Sequence, residues 1–312
     1  MKLIRDLAHV TPDLLGGAVT VGNFDGVHKG HVRIVERLMV AARAVVGPSV
    51  VFTFDPHPVR LLRPDQCPPP LTWTDRKAEL LGELGVDALI AYPTDQALLE
   101  LSAREFFERI IRQGLGARAM VEGPNFCFGH QREGNIDLLG QLAAETGLRL
   151  DVVDTLIVDG ATVSSSRVRT LVAAGDVAAA ASLLTRPYRI RGMVTHGAGR
   201  GAAIGFPTAN VDAIDTLLPG HGVYAGVAHT GGSAWPAAIN LGPSPTFGEK
   251  ATKVEAHLIG FDGALHGQPL EVDFLDRLRD IRRFEDVAAL QQQLKQDVAK
   301  AASLAQREMK KG

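Results

Sequence analysis

The stretch VGNFDGVHKGH, from Val21 to His31, decides how the first half of this chain is interpreted. It follows a short apolar run and precedes a segment with helical spacing, so it lies at a strand-to-helix junction. In a parallel sheet such junctions lie at the carboxyl edge, where ligands bind. A helix N-terminus favours a phosphate through its unpaired N–H groups and its dipole. His28 and His31 are therefore predicted to point at one phosphate.

Two other interpretations of this histidine pair stay open on spacing alone. The first is a pair of surface histidines whose hydrogen bonds are satisfied. The second is a zinc site, which is disfavoured because helical metal pairs usually stand four residues apart and need further ligands. The chain has only two cysteines, Cys67 and Cys127, and no CxxC motif, so it suggests neither a zinc site nor a disulfide framework.

Up to about residue 183, brief apolar segments alternate with helical patterns. The predicted strands are Ala18–Val21, Ser49–Phe54, Ala88–Ala91, Ala119–Glu122 and Leu150–Val153. Predicted helices begin near His31, at Thr74 and at Ser102, where Glu105 completes a capping box before an apolar stripe. Strand, helix and strand repeated in this order predict right-handed crossovers and a doubly wound parallel sheet.

The pattern changes after Arg186 and Pro187. Strand-like runs follow without helices between them, at 188–196, 223–229, 235–241, 253–259 and 270–278. They predict a small antiparallel β-barrel. A terminal helix is expected from Asp286, with Val287, Leu290, Leu294 and Val298 against the barrel, and a frayed tail from Gln306. The predicted fold class is α/β plus all-β, with domains at 1–183 and 184–312.

Composition excludes several classes of protein. The formal charge of −2 provides no cationic field for a nucleic acid. The basic residues Arg277, Arg279, Arg282 and Arg283 alternate with acids and are interpreted as solvated surface. No apolar run is long enough to span a bilayer, and Asp6 lies where a signal peptide needs an apolar core. We therefore expect a cytoplasmic protein without nucleic-acid or membrane partners, whose oligomeric state stays open.

Four stretches, in order along the chain, resemble the prokaryotic bifunctional riboflavin kinase and FAD synthetase family, whose first domain is a nucleotidylyltransferase with an HxGH signature. They are VGNFDGVHKGH, FTFDPHP (Phe52–Pro58), VEGPNFCFGHQREG (Val121–Gly134) and VSSSRVR (Val163–Arg169). The resemblance implies adenylyl transfer, in which the FMN phosphate attacks the α-phosphorus of ATP to form FAD and pyrophosphate.

The resemblance also implies roles for individual residues. His28 and His31 are the catalytic pair that holds the α-phosphate. Contacts with ATP are expected at Gly22, Asn23, Phe24, Gly30, Ser164, Ser165 and Arg169. Contacts with the flavin are expected at His57, Asn125, Phe126 and Phe128. From the residues alone, helix capping by the serines and core packing by the phenylalanines stay open.

The barrel half contains GAGRGAAIGFPTAN, from Gly197 to Asn210. Its glycine cluster imitates a dinucleotide fingerprint, but no βαβ unit follows it, and the absence of a GK dipeptide excludes a Walker loop. We predict a flexible flap that carries Arg200, followed by a rigid turn at residues 207–210. The Thr208 hydroxyl and the Asn210 carbonyl are hard oxygen ligands that Mg²⁺ accepts while it binds ATP phosphates.

GFPTAN and four later stretches resemble riboflavin kinases. The later stretches are GVYAGV (Gly222–Val227), NLGPSPTF (Asn240–Phe247), VEAHLIGFDG (Val254–Gly263) and FLDRLRDIRRF (Phe274–Phe284). The resemblance implies that Gly197 and Arg200 contact ATP. It makes Glu255 the general base that takes a proton from the ribityl 5′-hydroxyl. Without the resemblance, Glu255 would instead be interpreted as an exposed salt-bridge partner.

Four positions depart from the family pattern. Ser244 stands where arginine is common, Ala198 and Ala202 replace polar flap residues, and Ile281 replaces a common glutamate. Because these changes leave the Mg²⁺ and base positions intact, we expect a working kinase with altered affinity or inhibition.

The resulting prediction is a bifunctional transferase that uses ATP and Mg²⁺ in both halves. It converts riboflavin to FMN with release of ADP, and FMN to FAD with release of pyrophosphate. Two alternatives are a monofunctional FAD synthetase with an impaired kinase domain and a flavin or nucleotide sensor without turnover. Another cytidylyl or adenylyl transferase is disfavoured by the barrel and by the PNFCFG stretch.

Overall fold

The computed structural model describes residues 1–197, 199–243 and 251–311. It contains two structural units, Met1–Pro68 with Thr72–Ser165, and Pro69–Leu71 with Ser166–Gly312. The departures at Ala198 and Ser244 lie outside the described residues. The domain boundary after residue 183 stays a prediction.

The first unit is built on a six-stranded sheet with the order β1-β4-β3-β2-β5-β6, in which every adjacent pair is parallel. Its strands are β1 (Lys2–Ile4), β2 (Ala18–Val21), β3 (Ser49–Asp55), β4 (Ala88–Pro93), β5 (Ala119–Glu122) and β6 (Arg149–Val152). The five predicted strands are confirmed, with ends that differ by at most two residues. The edge strand β1 was not predicted, since three residues are too few for a periodic signal.

Helices connect these strands. They are α1 (Lys29–Ala44), α2 (Pro58–Leu62), α3 (Thr74–Glu83), α4 (Gln96–Glu100), α5 (Ala103–Phe106) and α6 (Ile136–Thr146). Short 3₁₀ turns lie at Leu7–His9, Pro12–Leu14, Pro64–Gln66 and His130–Arg132, and a hairpin is formed by β7 (Ile157–Val158) and β8 (Ala161–Thr162). The predicted capping box between Ser102 and Glu105 is confirmed. The helix after it continues as a π-helix over Phe107–Gly114, which the spacing did not predict.

Alternation along the strands sends side chains into two separate cores. Phe52 of β3 packs in one core with Phe106 and Phe107. Its neighbour Val51 packs in the other core with Val35 and Leu38 of α1. Helices therefore cover both faces of the parallel sheet, as the doubly wound prediction requires.

The second unit contains a closed antiparallel barrel with the strand order β10-β13-β12-β11-β14-β9. Its elements are α7 (Ser165–Ala174), α8 (Val177–Leu184), β9 (Tyr188–Thr195), α9 (Arg200–Ala203), β10 (Ala209–Asp212), β11 (Gly222–Thr230), β12 (Ser233–Gly242), β13 (Lys253–Leu258), β14 (Pro269–Arg279) and α10 (Val287–Met309). The terminal helix α10 packs on β11, β12 and β14. The five predicted strand runs and the terminal helix are confirmed.

Three local predictions in this unit are wrong. Residues 209–212 form the sixth strand, β10, rather than the end of a turn, because β10 closes the barrel by pairing with both β9 and β13. A short helix, α9, lies where no helix was predicted. Helix α10 extends to Met309 instead of fraying at Gln306, and Val287, expected against the barrel, is 47% exposed.

Across the described part of the chain, no helix combines the length and the apolar character needed to cross a membrane.

A buried carboxyl group lies at the carboxyl end of β5. Glu122 is 2% exposed, and its Oε1 accepts a hydrogen bond of 2.7 Å from the N–H of Val21 at the end of β2. Burial raises the pKa of Glu122 well above its ordinary value, against the smaller opposite effect of this hydrogen bond. The carboxyl group thus joins two neighbouring strand ends at a cost in desolvation.

We predict that Glu122→Gln stabilises the protein at neutral pH. The folded state keeps a proton that the unfolded state releases, so stability falls as pH rises above the unfolded carboxyl pKa of about 4.3. Glutamine keeps the oxygen acceptor without ionising. Thermal unfolding between about pH 5 and pH 8 should show a higher Tm for the variant, by about 2–4 °C per kcal/mol relieved, with a difference that grows with pH. A variant less stable at every pH would contradict this account.

Candidate active sites

The loop between β2 and α1, residues 22–28, has an unusual backbone. Phe24 and Val27 have positive φ angles of 46° and 41°, and Gly26 has 82°. Residues with a Cβ rarely adopt this region, so such a loop needs restraints. Two restraints come from Thr72, whose Oγ1 accepts from Gly26 N–H at 3.0 Å and whose N–H donates to Asp25 Oδ1 at 3.1 Å.

The histidines at the end of this loop cap α1 reciprocally. His28 Nδ1 accepts from the N–H of His31, and His31 Nδ1 accepts from the N–H of His28, each at 3.3 Å. The two rings stack with centroids 3.7 Å apart and planes 14° apart. Because Nδ1 accepts in each ring, the proton of the neutral imidazole lies on Nε2. The pair can therefore offer two Nε2–H donors side by side, whereas their contact with a phosphate stays a prediction.

Burial and the intervening glycine explain the close stacking. His28 is only 5% exposed, so the pair does not lie on the surface as the alternative interpretation required. A Cβ at Gly30 would lie 3.1 Å from the His28 ring and 3.5 Å from the carbonyl oxygen of Val163. Glycine at this position therefore lets the imidazole lie against the first turn of the helix.

The structure brings the predicted residue Ser165 to this loop. Ser165 Oγ donates to the carbonyl oxygen of Asp25 at 2.9 Å. Arg169 belongs to the second unit, where its Nε donates to Pro69 O at 3.3 Å. Its contact with ATP, like that of Ser164, stays a prediction.

The residues predicted to bind flavin have different environments. His57 caps α2, since its Nδ1 accepts from Val59 N–H at 3.1 Å. Asn125 is exposed, and Phe126 stacks on Phe128 with centroids 5.2 Å apart. Phe128 is 6% exposed and packs in the first core, so the alternative of core packing describes its ring.

The sequence analysis missed a buried ammonium group at the same loop. Lys77 of α3 is 8% exposed, and its Nζ donates to the carbonyl oxygen of Asn23 at 2.7 Å. Burial lowers the pKa of Lys77, while the nearby carboxylates Asp25 and Asp55 raise it. Its spacing on the apolar face of α3, three residues before Leu80, is the signal that could have identified it.

In the second unit, a cavity of about 260 Å³ lies beside the barrel. Its polar lining includes Arg200, Thr208, Asn210, Asn240 and Glu255. Its apolar lining includes Ile204, Phe206, Leu290, Leu294 and Val298. The residues predicted for ATP, metal and base chemistry in this half, Gly197 among them, are thus brought to one cavity.

Strand register builds the polar wall of this cavity. Glu255 of β13 stands opposite Asn210 of β10 on one side and opposite Asn240 of β12 on the other. Asn240 Nδ2 donates to Glu255 Oε2 at 3.2 Å. Lys253, Glu255 and His257 alternate with buried residues along β13 and line the cavity. This alternation was a signal for Lys253 and His257 that the sequence analysis did not use.

Gly197, which precedes the flap of residues 199–208, and Gly201 within it allow close packing in this region. A Cβ at Gly197 would lie 2.0 Å from Asn210 Nδ2, and one at Gly201 would lie 2.4 Å from the carbonyl oxygen of Phe206. The glycines thus make room for close backbone approach rather than for a dinucleotide. Of the family departures, Ala202 and Ile281 line the cavity.

The donor set fits a magnesium ion that is shared with phosphates. The hydroxyl of Thr208 and the side-chain carbonyl of Asn210 are hard oxygen donors that line one cavity. In the described ranges, no group of three or more His, Cys, Asp or Glu side chains could hold a metal ion alone. Mg²⁺ usually takes one or two protein oxygens and completes its shell with water and phosphate.

An ion pair closes the opposite wall and corrects one prediction. Arg279 donates from Nε and Nη2 to Asp297 Oδ2 at 2.9 and 2.8 Å, and Asp297 is 5% exposed. Gln293 donates to the other oxygen of Asp297, and the guanidinium groups of Arg279 and Arg282 lie 5.5 and 5.0 Å from the Phe284 ring centroid. Arg279 is therefore held in an ion pair with a buried carboxylate of α10, 18 residues further along the chain, and is not part of a solvated basic surface.

Both halves of the chain match known families. A family model for FAD synthetase matches residues 11–167, and one for riboflavin kinase matches residues 184–305. The chain is 38% identical over 306 residues to the bifunctional riboflavin kinase/FMN adenylyltransferase of Pseudomonas fluorescens, with 98% of each chain covered.

Two further matches also cover nearly the whole chain. The bifunctional riboflavin kinase/FMN adenylyltransferase of Escherichia coli (strain K12) is 34% identical, with 95% of this chain and 96% of the relative covered. A crystal structure described as a macrolide-efflux protein from Streptococcus pneumoniae has a TM-score of 0.86 and 29% identity, with 97% of this chain and 98% of that chain covered. The chain belongs to the family of bifunctional riboflavin kinase/FMN adenylyltransferases.

Proposed function

We propose that the chain makes FAD from riboflavin in two ATP-dependent steps. The barrel unit phosphorylates riboflavin to FMN, and the parallel-sheet unit adenylylates FMN. The observation that carries the proposal is the presence, in one chain, of the stacked His28–His31 cap at a helix N-terminus and of Asn210, Glu255 and Asn240 in one cross-strand row.

In the adenylylation, the histidine pair holds the α-phosphate of ATP. The two Nε2–H donors and the N-terminus of α1 lie together, so they stabilise the negative charge that develops on the α-phosphate oxygens. An FMN phosphate oxygen attacks the α-phosphorus, and the bond to the β-phosphate breaks without a covalent enzyme intermediate. Gly22, Asn23, Phe24 and Gly30 approach ATP along the loop.

The remaining residues of this site hold the two ends of the substrates. Ser164 and Arg169 donate to the departing pyrophosphate, and Ser165, whose hydroxyl donates to Asp25 O, holds the loop beside it. His57, Asn125 and Phe126 contact the flavin, and Phe128 supports the Phe126 ring from the core. These roles agree with the family resemblance of the stretches that contain them.

In the phosphorylation, Glu255 takes the proton of the ribityl 5′-hydroxyl as the oxygen attacks the γ-phosphorus, and ADP leaves. Asn240 donates to one carboxylate oxygen and so orients the other toward the hydroxyl. Thr208 and Asn210 would hold Mg²⁺, with Gly197 and Arg200 beside the ATP phosphates. When bound, Mg²⁺ neutralises phosphate charge.

The cellular setting follows from the substrates and the thiols. Cys67 and Cys127 are both free. Free thiols and ATP as co-substrate suit the reducing cytoplasm, where we place the enzyme.

The direct test of the proposed function is product analysis. Purified protein is incubated with riboflavin, ATP and Mg²⁺, and the flavins are separated by chromatography. We expect FMN first and FAD later. FAD made only when FMN is supplied would instead identify a monofunctional FAD synthetase, and flavin binding without any product would identify a sensor.

We predict that Glu255→Gln abolishes riboflavin phosphorylation selectively. Glutamine keeps an acceptor for Asn240 but cannot take the proton, so kcat should fall by about 10²–10⁴. FAD formation from added FMN should not change. Asp262→Asn, at an exposed carboxylate just after β13, is the matched control and should keep both activities. A Glu255→Gln variant with near wild-type kinase turnover would refute the general-base assignment.

We predict that His31→Gln lowers FAD formation by about 10²–10³ while riboflavin phosphorylation continues, so that FMN accumulates. Glutamine can still accept from the His28 N–H, so the helix cap is preserved in part. His9→Gln, at an exposed histidine of the same unit, serves as control. The assignment is wrong if the rate of FAD formation by His31→Gln stays within about threefold of wild type, because removal of one donor to the developing charge should lower the rate far more.

A further inference from the structure

The loop that carries the histidines rests on a buried ammonium group. Lys77 lies on the inner face of α3, where its neighbours Ala78, Leu80 and Leu81 are also buried. A leucine or methionine at this position would continue the apolar face without the desolvation cost of a charge. A buried lysine at this position therefore needs a hydrogen-bond acceptor inside the protein.

That acceptor is the carbonyl oxygen of Asn23. It accepts from Lys77 Nζ at 2.7 Å and from Thr53 Oγ1 at 3.2 Å, while Lys77 also donates to Thr53 Oγ1 at 3.4 Å. Thr53 lies near the end of β3 and is fully buried. The three groups form a closed hydrogen-bonded triangle in the interior, where each bond is stronger than in water.

The Asn23 carbonyl lies where the chain enters the strained part of the loop, so these hydrogen bonds restrain the loop at its start. Asn23 immediately precedes Phe24, the first of the residues with positive φ in the loop. Strained backbone of this kind persists only where its surroundings hold it. The orientation of the Asn23–Phe24 peptide sets the path of the chain toward His28.

Charged groups around Lys77 keep the ammonium in place. Asp25 in the loop is 6% exposed, and Asp55 ends β3. Asp55 accepts from Thr74 Oγ1 at 2.7 Å and pairs with Arg5 at 3.4 Å. The charges of these two carboxylates partly offset the desolvation of the Lys77 ammonium.

We propose that Lys77 is a positioning residue for adenylyl transfer. Its ammonium, together with the hydroxyl of Thr53, holds the Asn23 carbonyl and thereby the turn that aims His28 and His31 at the α-phosphate. Lys77 itself touches neither substrate. The inference rests on the proposed function of the parallel-sheet unit, and the kinase of the same chain provides an internal control.

The test uses Lys77→Met in the full chain, because methionine is similar in length and uncharged. We expect kcat for FAD formation from FMN to fall at least 30-fold, with KM for FMN changed less than threefold. Riboflavin phosphorylation should stay within twofold of wild type. Lys2→Met, the same change at a lysine whose side chain is 53% exposed, should leave both activities unchanged.

A double-mutant cycle identifies the carbonyl as the common target. Thr53→Val removes the second donor to Asn23 O without a change in shape. If both side chains act through that oxygen, the losses in kcat for Lys77→Met and Thr53→Val should be strongly non-additive in the double variant. Additive losses would overturn the proposal.

A second variant separates positioning from folding. Lys77→Ala leaves space for a small cation, so methylammonium or ethylammonium should restore part of the FAD formation, whereas ethanol should not. Rescue by ethanol as well, or no rescue in a variant that unfolds like wild type, would overturn the proposal. So would a Lys77→Met variant that forms FAD within threefold of wild type, or one that loses both activities together. A wild-type protein that makes FMN but no FAD would overturn the proposed function itself.

Discussion

The reciprocal cap of α1 is the interaction on which the first unit depends. Each imidazole uses Nδ1 to satisfy a backbone N–H of the other residue. This bonding leaves Nε2 as the donor of each neutral ring, so one pair of side chains both starts the helix and carries its chemistry. Few other residue pairs could do both, since a Ser/Glu capping box would place a carboxylate where a phosphate has to bind.

Buried polar groups at the carboxyl edge of the sheet hold the backbone around that cap. Glu122 joins the ends of β2 and β5, and Lys77 holds the loop that follows β2. Each group is almost inaccessible to water and each has a pKa shifted toward its neutral form. Groups of this kind are costly for stability, and they cluster where the backbone has to leave the sheet along one defined path.

The barrel solves a different problem by register. The short strand β10 pairs with both β9 and β13, and this closure sets Asn210 opposite Glu255. A shift of one residue would turn both side chains to the other face of the strand. The pair between Arg279 and Asp297 then ties α10 to the end of β14 and completes the cavity.

Several features could be predicted from the chain alone because they depend on local pattern. Period-two and helical spacing identify most strands and helices, and the order of the motifs indicates both domains. His28 and His31 were predicted to form one site, and the structure stacks their rings. Thr208, Asn210 and Glu255 were predicted to form another, and the structure places them around one cavity.

Other features depend on contacts between distant residues, which local pattern does not record. Ala209–Asp212 is a strand because it pairs with two neighbours, Arg279 is held in an ion pair with the buried Asp297, and Asn240 reaches Glu255 through strand register. By itself, the amino-acid sequence determined most of the elements, their order along the chain, and the residue types that are available for chemistry. Only the tertiary structure decided which polar groups share a carbonyl, a carboxylate or a cavity, because hydrogen bonds act over about 3 Å between residues that the chain separates widely.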